Sequence, residues 1–229
     1  MRKIKNNLPG FIASIVTIIT PIMAGLVLWN KLPDRVALHF SFDGTPDQYY
    51  SKGFAVFGMY LILLALHLFA TILTASEDSK RQGIPDSIYG LIIWIVPLVS
   101  LLVAVLCYGN ALGFGIDVTL ISLLFLGFIY IVLGNYLPKV RQNGVFGTRI
   151  KWTMESRKNW EHTNRFSAYT LIVMGLLYIL TAFAKNLNQL TEKLLPILCI
   201  VFLMVDVIII VIYSYSYYLK HKDDADYYK

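Results

Sequence analysis

Charge is scarce in this chain. Of its 229 residues only 15% are Asp, Glu, Lys or Arg, against about 25% in ordinary soluble domains. Cysteine is scarcer still: Cys107 and Cys199 are the two, both inside apolar runs. That excludes a secreted disulfide scaffold and leaves both as small hydrophobes packed in helices. No His-Glu-x-x-His, Gly-x-Ser-x-Gly, Cys-x-x-Cys or phosphate-binding glycine loop occurs. The short signatures of metal, nucleophile and nucleotide chemistry are therefore missing, and no catalytic residue, metal or cofactor is expected. Solenoid repeats and low-complexity linkers are missing too. What is abundant is apolar: 57% of residues are hydrophobic and the mean hydropathy is +0.62. A water-soluble core cannot use that much apolar surface, so lipid is the expected solvent.

Six stretches are long enough to cross a hydrocarbon core of about 30 Å, which takes about 20 helical residues. They run Gly10–Trp29, Gly53–Ala75, Ser87–Tyr108, Val118–Leu137, Ser167–Ala184 and Leu194–Leu219. The expected fold is all-α: a polytopic membrane helical bundle of six transmembrane helices. With the N-terminus inside, fifteen of the twenty lysines and arginines fall in cytoplasmic segments, so both termini are expected in the cytoplasm. The net charge of +6 is then topology, and direct nucleic-acid binding gains no support from it. The organisation expected is a first helical hairpin over 1–75, carrying an extracellular cap at 31–52. A four-helix region over 76–229 follows, with a basic cytoplasmic loop at 138–166.

The cap has its own pattern. Val36, Leu38, Phe40 and Phe42 alternate with Ala37, His39 and Ser41, the period of a strand with one apolar face. Asp43-Gly44 supplies a tight turn and Pro46 resists helix. A small ordered extracellular cap should follow the first helix. His39, Asp43 and Asp47 match no standard metal spacing. Together with Phe40, Gly44 and Lys52 they are candidates for recognising something that arrives from outside.

The segment Pro138–Phe166 is long, basic and marked by the turn residues Asn143-Gly144 and Gly147. Thr153 is placed to cap a helix beginning near Met154 and running through Trp160 into the fifth span. On it, Lys158, His162 and Arg165 share one face, with Trp160 and Asn164 on an adjacent stripe. A basic amphipathic helix at this position lies against anionic headgroups. The candidates here for a cytoplasmic partner or headgroup are Asn135, Arg149, Trp152, Trp160 and Arg165.

These residues also carry a resemblance. Gly134-Asn135-Tyr136-Leu137-Pro138-Lys139, Asn143, Gly147-Thr148-Arg149, Trp152-Thr153, Trp160, Thr163 and Arg165-Phe166 are similar to the signature of SdpI-type bacterial membrane proteins. Leu32-Pro33, His39-Phe40, Gly44, Pro46-Asp47 and Ser51-Lys52 resemble the uncharacterised domain often found N-terminal to it. Two positions depart from the common pattern: Lys151 stands where Pro is common before the tryptophan, and Asn164 where His is common before the arginine. The resemblance implies a multi-pass protein of the bacterial cytoplasmic membrane that gives immunity to a secreted membrane-active toxic peptide. It further implies a possible second role, in which toxin makes the protein hold a transcriptional repressor at the membrane. The partners implied are that peptide, that repressor and the membrane lipids.

Two ionisable residues lie within spans: His67 in the second and Asp206 in the sixth. Such groups are costly in lipid and face polar partners, so they invite either a structural hydrogen bond or a functional role. They support the alternative of a small transporter or lipid-handling protein. Gly127 and Gly175 suit close helix contact.

Overall fold

The computed structural model describes residues 2–78, 85–184, 189–224 and 227. Of the charges counted for orientation, Lys80, Arg81, Lys185 and Lys229 lie outside them. Among the described residues, six helices are long and apolar enough to span a membrane: Leu8–Val27, Phe54–Ser76, Ile88–Ala111, Val118–Lys139, Arg157–Ala184 and Ile197–His221. They coincide with the six expected stretches to within a few residues except at Arg157, where helix continues ten residues ahead of the apolar run. The chain divides into two compact units, Met1–Lys80 with Asp86–Val118, and Arg81–Pro85 with Thr119–Lys229. By packing, then, the third span belongs with the first two.

The first unit begins with a short helix α1 (Arg2–Asn6) and the spanning helix α2 (Leu8–Val27), which runs through Pro21. A two-stranded antiparallel hairpin follows, β1 (Arg35–Phe40) and β2 (Pro46–Ser51). The chain re-enters helix through one π-helical turn, Phe54–Gly58, continuous with α3 (Met59–Asp78). Helix α4 (Asp86–Ala111) completes the unit. Its core gathers Leu32 and Val36 from the hairpin side, Ala55, Val56 and Tyr60 from the third element, and Cys107 and Tyr108 from α4. The Tyr108 hydroxyl donates to the Pro21 carbonyl oxygen at 3.2 Å. Val36 is fully buried, while Leu38 and Phe40 pack on the same core. The expected apolar face of β1 therefore sits on the ends of the spanning helices. Phe42, beyond the strand, is 59% exposed.

The second unit holds α5 (Val118–Tyr136), a 3-10 turn Leu137–Lys139, α6 (Lys151–Glu155), α7 (Arg157–Ala184) and α8 (Gln189–His221). Small residues let α5 and α7 touch backbone to backbone. A Cβ on Gly127 would lie 2.6 Å from the Gly175 carbonyl oxygen, and one on Gly134 would lie 2.8 Å from that of Ala168. Gly127 and Gly134 are seven residues apart, as are Ala168 and Gly175, so the two antiparallel helices meet along one stripe. Without a hydrophobic force between helices in lipid, such close van der Waals contact is a main source of association.

The helix entering the fifth span begins later than the Thr153 cap predicts. The backbone breaks at Ser156 (φ −132°, ψ 121°), whose hydroxyl accepts the Asn159 N–H at 3.2 Å and caps α7. Thr153 instead lies inside α6. Its hydroxyl accepts the Ile150 N–H at 3.1 Å and faces the Thr148 carbonyl oxygen at 2.7 Å. Both residues are capping types; Ser156 wins because Thr153 is already committed to the loop before it.

Candidate functional site

Three groups of polar residues stand out: the hairpin, the loop that precedes α7, and isolated side chains within the spans.

In the hairpin, strand pairing is irregular on either side of His39, which stands opposite Gln48. Bulges of this kind re-aim side chains. Here the irregular register brings together two of the expected residues: His39 Nδ1 lies 2.6 Å from Asp47 Oδ1, and the Ser41 hydroxyl donates to Asp47 Oδ2 at 3.2 Å. The His39 hydrogen bond holds the exposed Asp47 carboxyl below its usual range. Asp43 does different work. Its Oδ1 accepts from the Thr45 hydroxyl at 2.7 Å and the Thr45 N–H at 2.9 Å, which lowers its pKa and closes the turn. Gly44 occupies that turn at φ 84°, where a Cβ would be strained. Phe40 faces the core rather than outward.

Lys52 is a fastening. Its ammonium donates to the carbonyl oxygens of Leu32 at 3.0 Å and Trp29 at 3.3 Å, lies 3.3 Å from Asp34 Oδ1, and sits 5.3 Å above the Trp29 ring centre. The hairpin base is thereby tied to the end of the first span. Beside it an open groove of about 690 Å³ is lined by Pro33, Arg35, Asp47, Gln48, Tyr49 and Tyr50. Of these, sequence reasoning named only Asp47 as a recognition candidate. Tyr49 and Tyr50 lie on a strand with no alternation to reveal the groove, since β2 is exposed along nearly its whole length.

The loop before α7 is organised by buried hydrogen bonds. Asn143 Oδ1 accepts the N–H groups of Val145 and Phe146 at 2.7 and 2.8 Å, while its Nδ2 donates to the Arg141 and Phe146 carbonyls. Trp160, fully buried, donates its indole N–H to the Val140 carbonyl oxygen at 2.8 Å. Asn164 accepts the Thr148 N–H at 2.9 Å and donates to the Trp160 carbonyl oxygen at 2.9 Å. Gly147 passes over both at φ 120°, and a Cβ there would stand 2.7 Å from the Trp160 ring. Further along, Asn159 Nδ2 donates to the Ser214 carbonyl oxygen and the Tyr227 hydroxyl, and Thr163 and Ser214 hydroxyls reach Asn159 Oδ1. One face of α7's first turns is therefore a polar lock.

The expected partner residues divide accordingly. Trp160 is inside the lock. Asn135, exposed, donates to the Ile131 carbonyl oxygen of its own helix at 2.8 Å. Arg149 and Arg165 are exposed, and Trp152 is half-buried against Tyr215, with ring centres 4.9 Å apart. Lys158, His162 and Arg165 all lie on the exposed face of α7, as their spacing predicts.

Within the spans, His67 is buried with Nε2 2.9 Å from the Ser14 hydroxyl, which donates to the Phe11 carbonyl oxygen. The Ser14 hydroxyl thus bridges the Phe11 carbonyl oxygen and the His67 ring. Asp206 is 5% exposed, and its Oδ1 has no hydrogen-bond partner among the described residues. Its surroundings are Thr170 and the Tyr130–Tyr178 ring pair, whose centres are 5.4 Å apart. Among the described residues no group of three His, Cys, Asp or Glu is placed to hold a metal ion.

Six apolar spans, a small strand hairpin at the end of one helix pair and a polar-locked loop define a multi-pass α-helical membrane protein. Residues 139–214 match the SdpI/YfhL protein family, and residues 16–64 match a domain of unknown function, DUF1648. Both matches agree with the resemblance seen in the sequence: an SdpI/YfhL-type region with this domain on its N-terminal side. No curated protein and no solved structure matches it.

Proposed function

We propose that this protein is an SdpI-like immunity protein of the bacterial cytoplasmic membrane, with both termini inside and the hairpin outside. It protects the cell from a secreted, membrane-active toxic peptide. The match to the SdpI/YfhL family supports an immunity-type function, and the single observation that favours peptide recognition at the hairpin is its rigidity. Val36 anchors one strand in the core and Lys52 ties the base to the first span, so β2 and its groove are held at a helix end. A prepositioned surface binds without the entropy cost of ordering a loop. In the second unit the exposed Arg149 and Arg165 and the half-buried Trp152 offer a surface to a cytoplasmic transcriptional repressor, with the buried Trp160 supporting the loop from within and the exposed Asn135 at the end of α5.

The test is survival. The chain is expressed in a sensitive bacterium and challenged with SDP-like peptide, beside Arg35→Gln with Tyr49→Ala and His39→Ala with Asp47→Ala at matched membrane levels. Protection by the native chain that either hairpin variant loses supports the reading. Equal protection by all three moves recognition away from the hairpin, and no protection by any refutes immunity to this peptide.

The buried, unpartnered Asp206 Oδ1 favours one second reading, a small transporter or lipid-handling protein with a polar site inside the second unit. Asp206→Asn separates the two: transport would be lost with the fold intact, whereas an immunity protein acting at the hairpin would keep its protection.

A further inference from the structure

The end of the α7–α8 pair carries a second pocket that the immunity reading does not use. It has a volume of about 430 Å³ and is lined by His162, Tyr213, Ser216, Tyr217, Lys220 and His221. The rings form a column: His162 stacks on Tyr217 with centres 4.7 Å apart, and Tyr217 on His221 at 4.1 Å. One turn further along the spans, Phe166 and Tyr213 lie face to face at 4.1 Å and 8°. The stacking fixes both imidazoles without using all of their polar atoms. Nδ1 of His221 lies 2.9 Å from the Tyr217 carbonyl oxygen, which can only accept, so the proton sits on Nδ1 and this bond, with the stacking, holds the ring in place.

Every polar group lining this pocket is a hydroxyl, an imidazole or an ammonium; none is a carboxylate. Lys158 adds positive charge close to Tyr217. The nearest acid on α7, Glu161, is paired with Arg157 at 2.9 Å; Asp224, in the turn after α8, also acts on Tyr217 and opposes the Lys158 charge there, but it does not line the pocket. Such a set of donors suits a phosphate anion. The pocket's position selects among phosphates. Below it the Phe166–Tyr213 pair leads onto an outward apolar stripe of Tyr169, Val173, Ile209 and Ile212, each 41% exposed or more. A ligand with a phosphate at one end and hydrocarbon at the other satisfies both.

We propose that His162, Tyr217, Lys220 and His221 form a headgroup site for an anionic phospholipid, whose acyl chains run along the stripe beneath. This site is separate from the hairpin groove and does not rest on the immunity reading. The experiment is native mass spectrometry of the full chain in detergent, titrated with phosphatidylglycerol, phosphatidylcholine or inorganic phosphate. Phosphatidylglycerol should be retained about tenfold more tightly than phosphatidylcholine, the size expected of one charge-assisted hydrogen bond. His162→Ala with Lys220→Gln should abolish that preference. Ser216→Phe, which fills the pocket and keeps every charge, should weaken phosphatidylglycerol by about the same factor. Lys151→Gln, an exposed charge elsewhere in the unit, should leave it unchanged. Equal retention of the two lipids, or unchanged phosphatidylglycerol binding in both pocket variants, overturns the proposal. Displacement of the lipid by equimolar inorganic phosphate also overturns it, making the ligand a free anion.

Discussion

Asn164→Ala tests whether the loop before α7 is held by its buried hydrogen bonds. Asn164 is 1% exposed and makes one bond each way: it accepts the Thr148 N–H and donates to the Trp160 carbonyl oxygen, both at 2.9 Å. The Trp160 carbonyl keeps its helical partner in the variant, so the loss concentrates on Thr148, whose N–H is left without an acceptor. An orphaned buried donor costs about 1–3 kcal/mol, which is about 5- to 150-fold in the folding equilibrium. Asn135→Ala is the matched control, because the same side chain is removed where it is exposed and bonded only to its own helix. Its expected cost is within about 0.5 kcal/mol. Unfolding of both variants in mixed micelles of increasing SDS fraction, followed by tryptophan fluorescence, reads the difference. If Asn164→Ala unfolds with the native midpoint, or Asn135→Ala falls as far, the buried network is not what fixes this loop.

Gly127→Val drives a branched side chain into the Gly175 carbonyl oxygen and should destabilise the second unit by about 1–3 kcal/mol, read in the same micelle titration. Gly147→Ala should cost about 1–3 kcal/mol as well, because it combines backbone strain at φ 120° with a clash on Trp160; a native midpoint would refute this. Asp47 has a carboxyl pKa lowered in the folded hairpin, so its contribution is present above the ordinary value of 3.8 and is lost as pH falls through the depressed one. Amide exchange in β1 and β2 should therefore quicken only in that acidic window, and Asp47→Asn should flatten this component. Lys52→Ala frees two carbonyl oxygens and Asp34 at the hairpin base; protease cutting between residues 30 and 52 should rise several-fold, and unchanged cutting would show that Val36 alone suffices.

The spans were legible because lipid demands a long apolar run, and each of the six runs is a helix. Strand β1 was legible for a related reason: its apolar residues repeat with period two and land on the core. Its partner β2 was not, since Pro46–Ser51 is nearly all exposed and its pairing comes from the backbone of the neighbouring strand. The His39–Asp47 pair was visible only as two polar residues in one loop, because the irregular register that joins them is a tertiary outcome. Gly127 and Gly175 read correctly as contact residues. Trp160 and Asn164 read as one stripe, but whether that stripe faced outward or inward depended on Val140 and Thr148, loop backbone that periodicity cannot place. The stacked His162–Tyr217–His221 column joins residues more than fifty positions apart and left no local signal beyond the exposed face of α7.

The π-helical turn at Phe54–Gly58 takes up one extra residue. The Met59 N–H reaches the Phe54 carbonyl oxygen five residues back, one more than an α-helix allows. Five residues here close about the same revolution that four close in an α-helix, so the rest of α3 keeps the face it would have in an unbroken helix. Ala55, Val56 and Tyr60 thereby all reach the hairpin core while His67, further along, stays on Ser14. Deleting a single residue from that turn would restore ordinary helix and change the hairpin core without turning the buried imidazole away. Relatives that shorten this turn would have to rebuild only the hairpin end of the first unit.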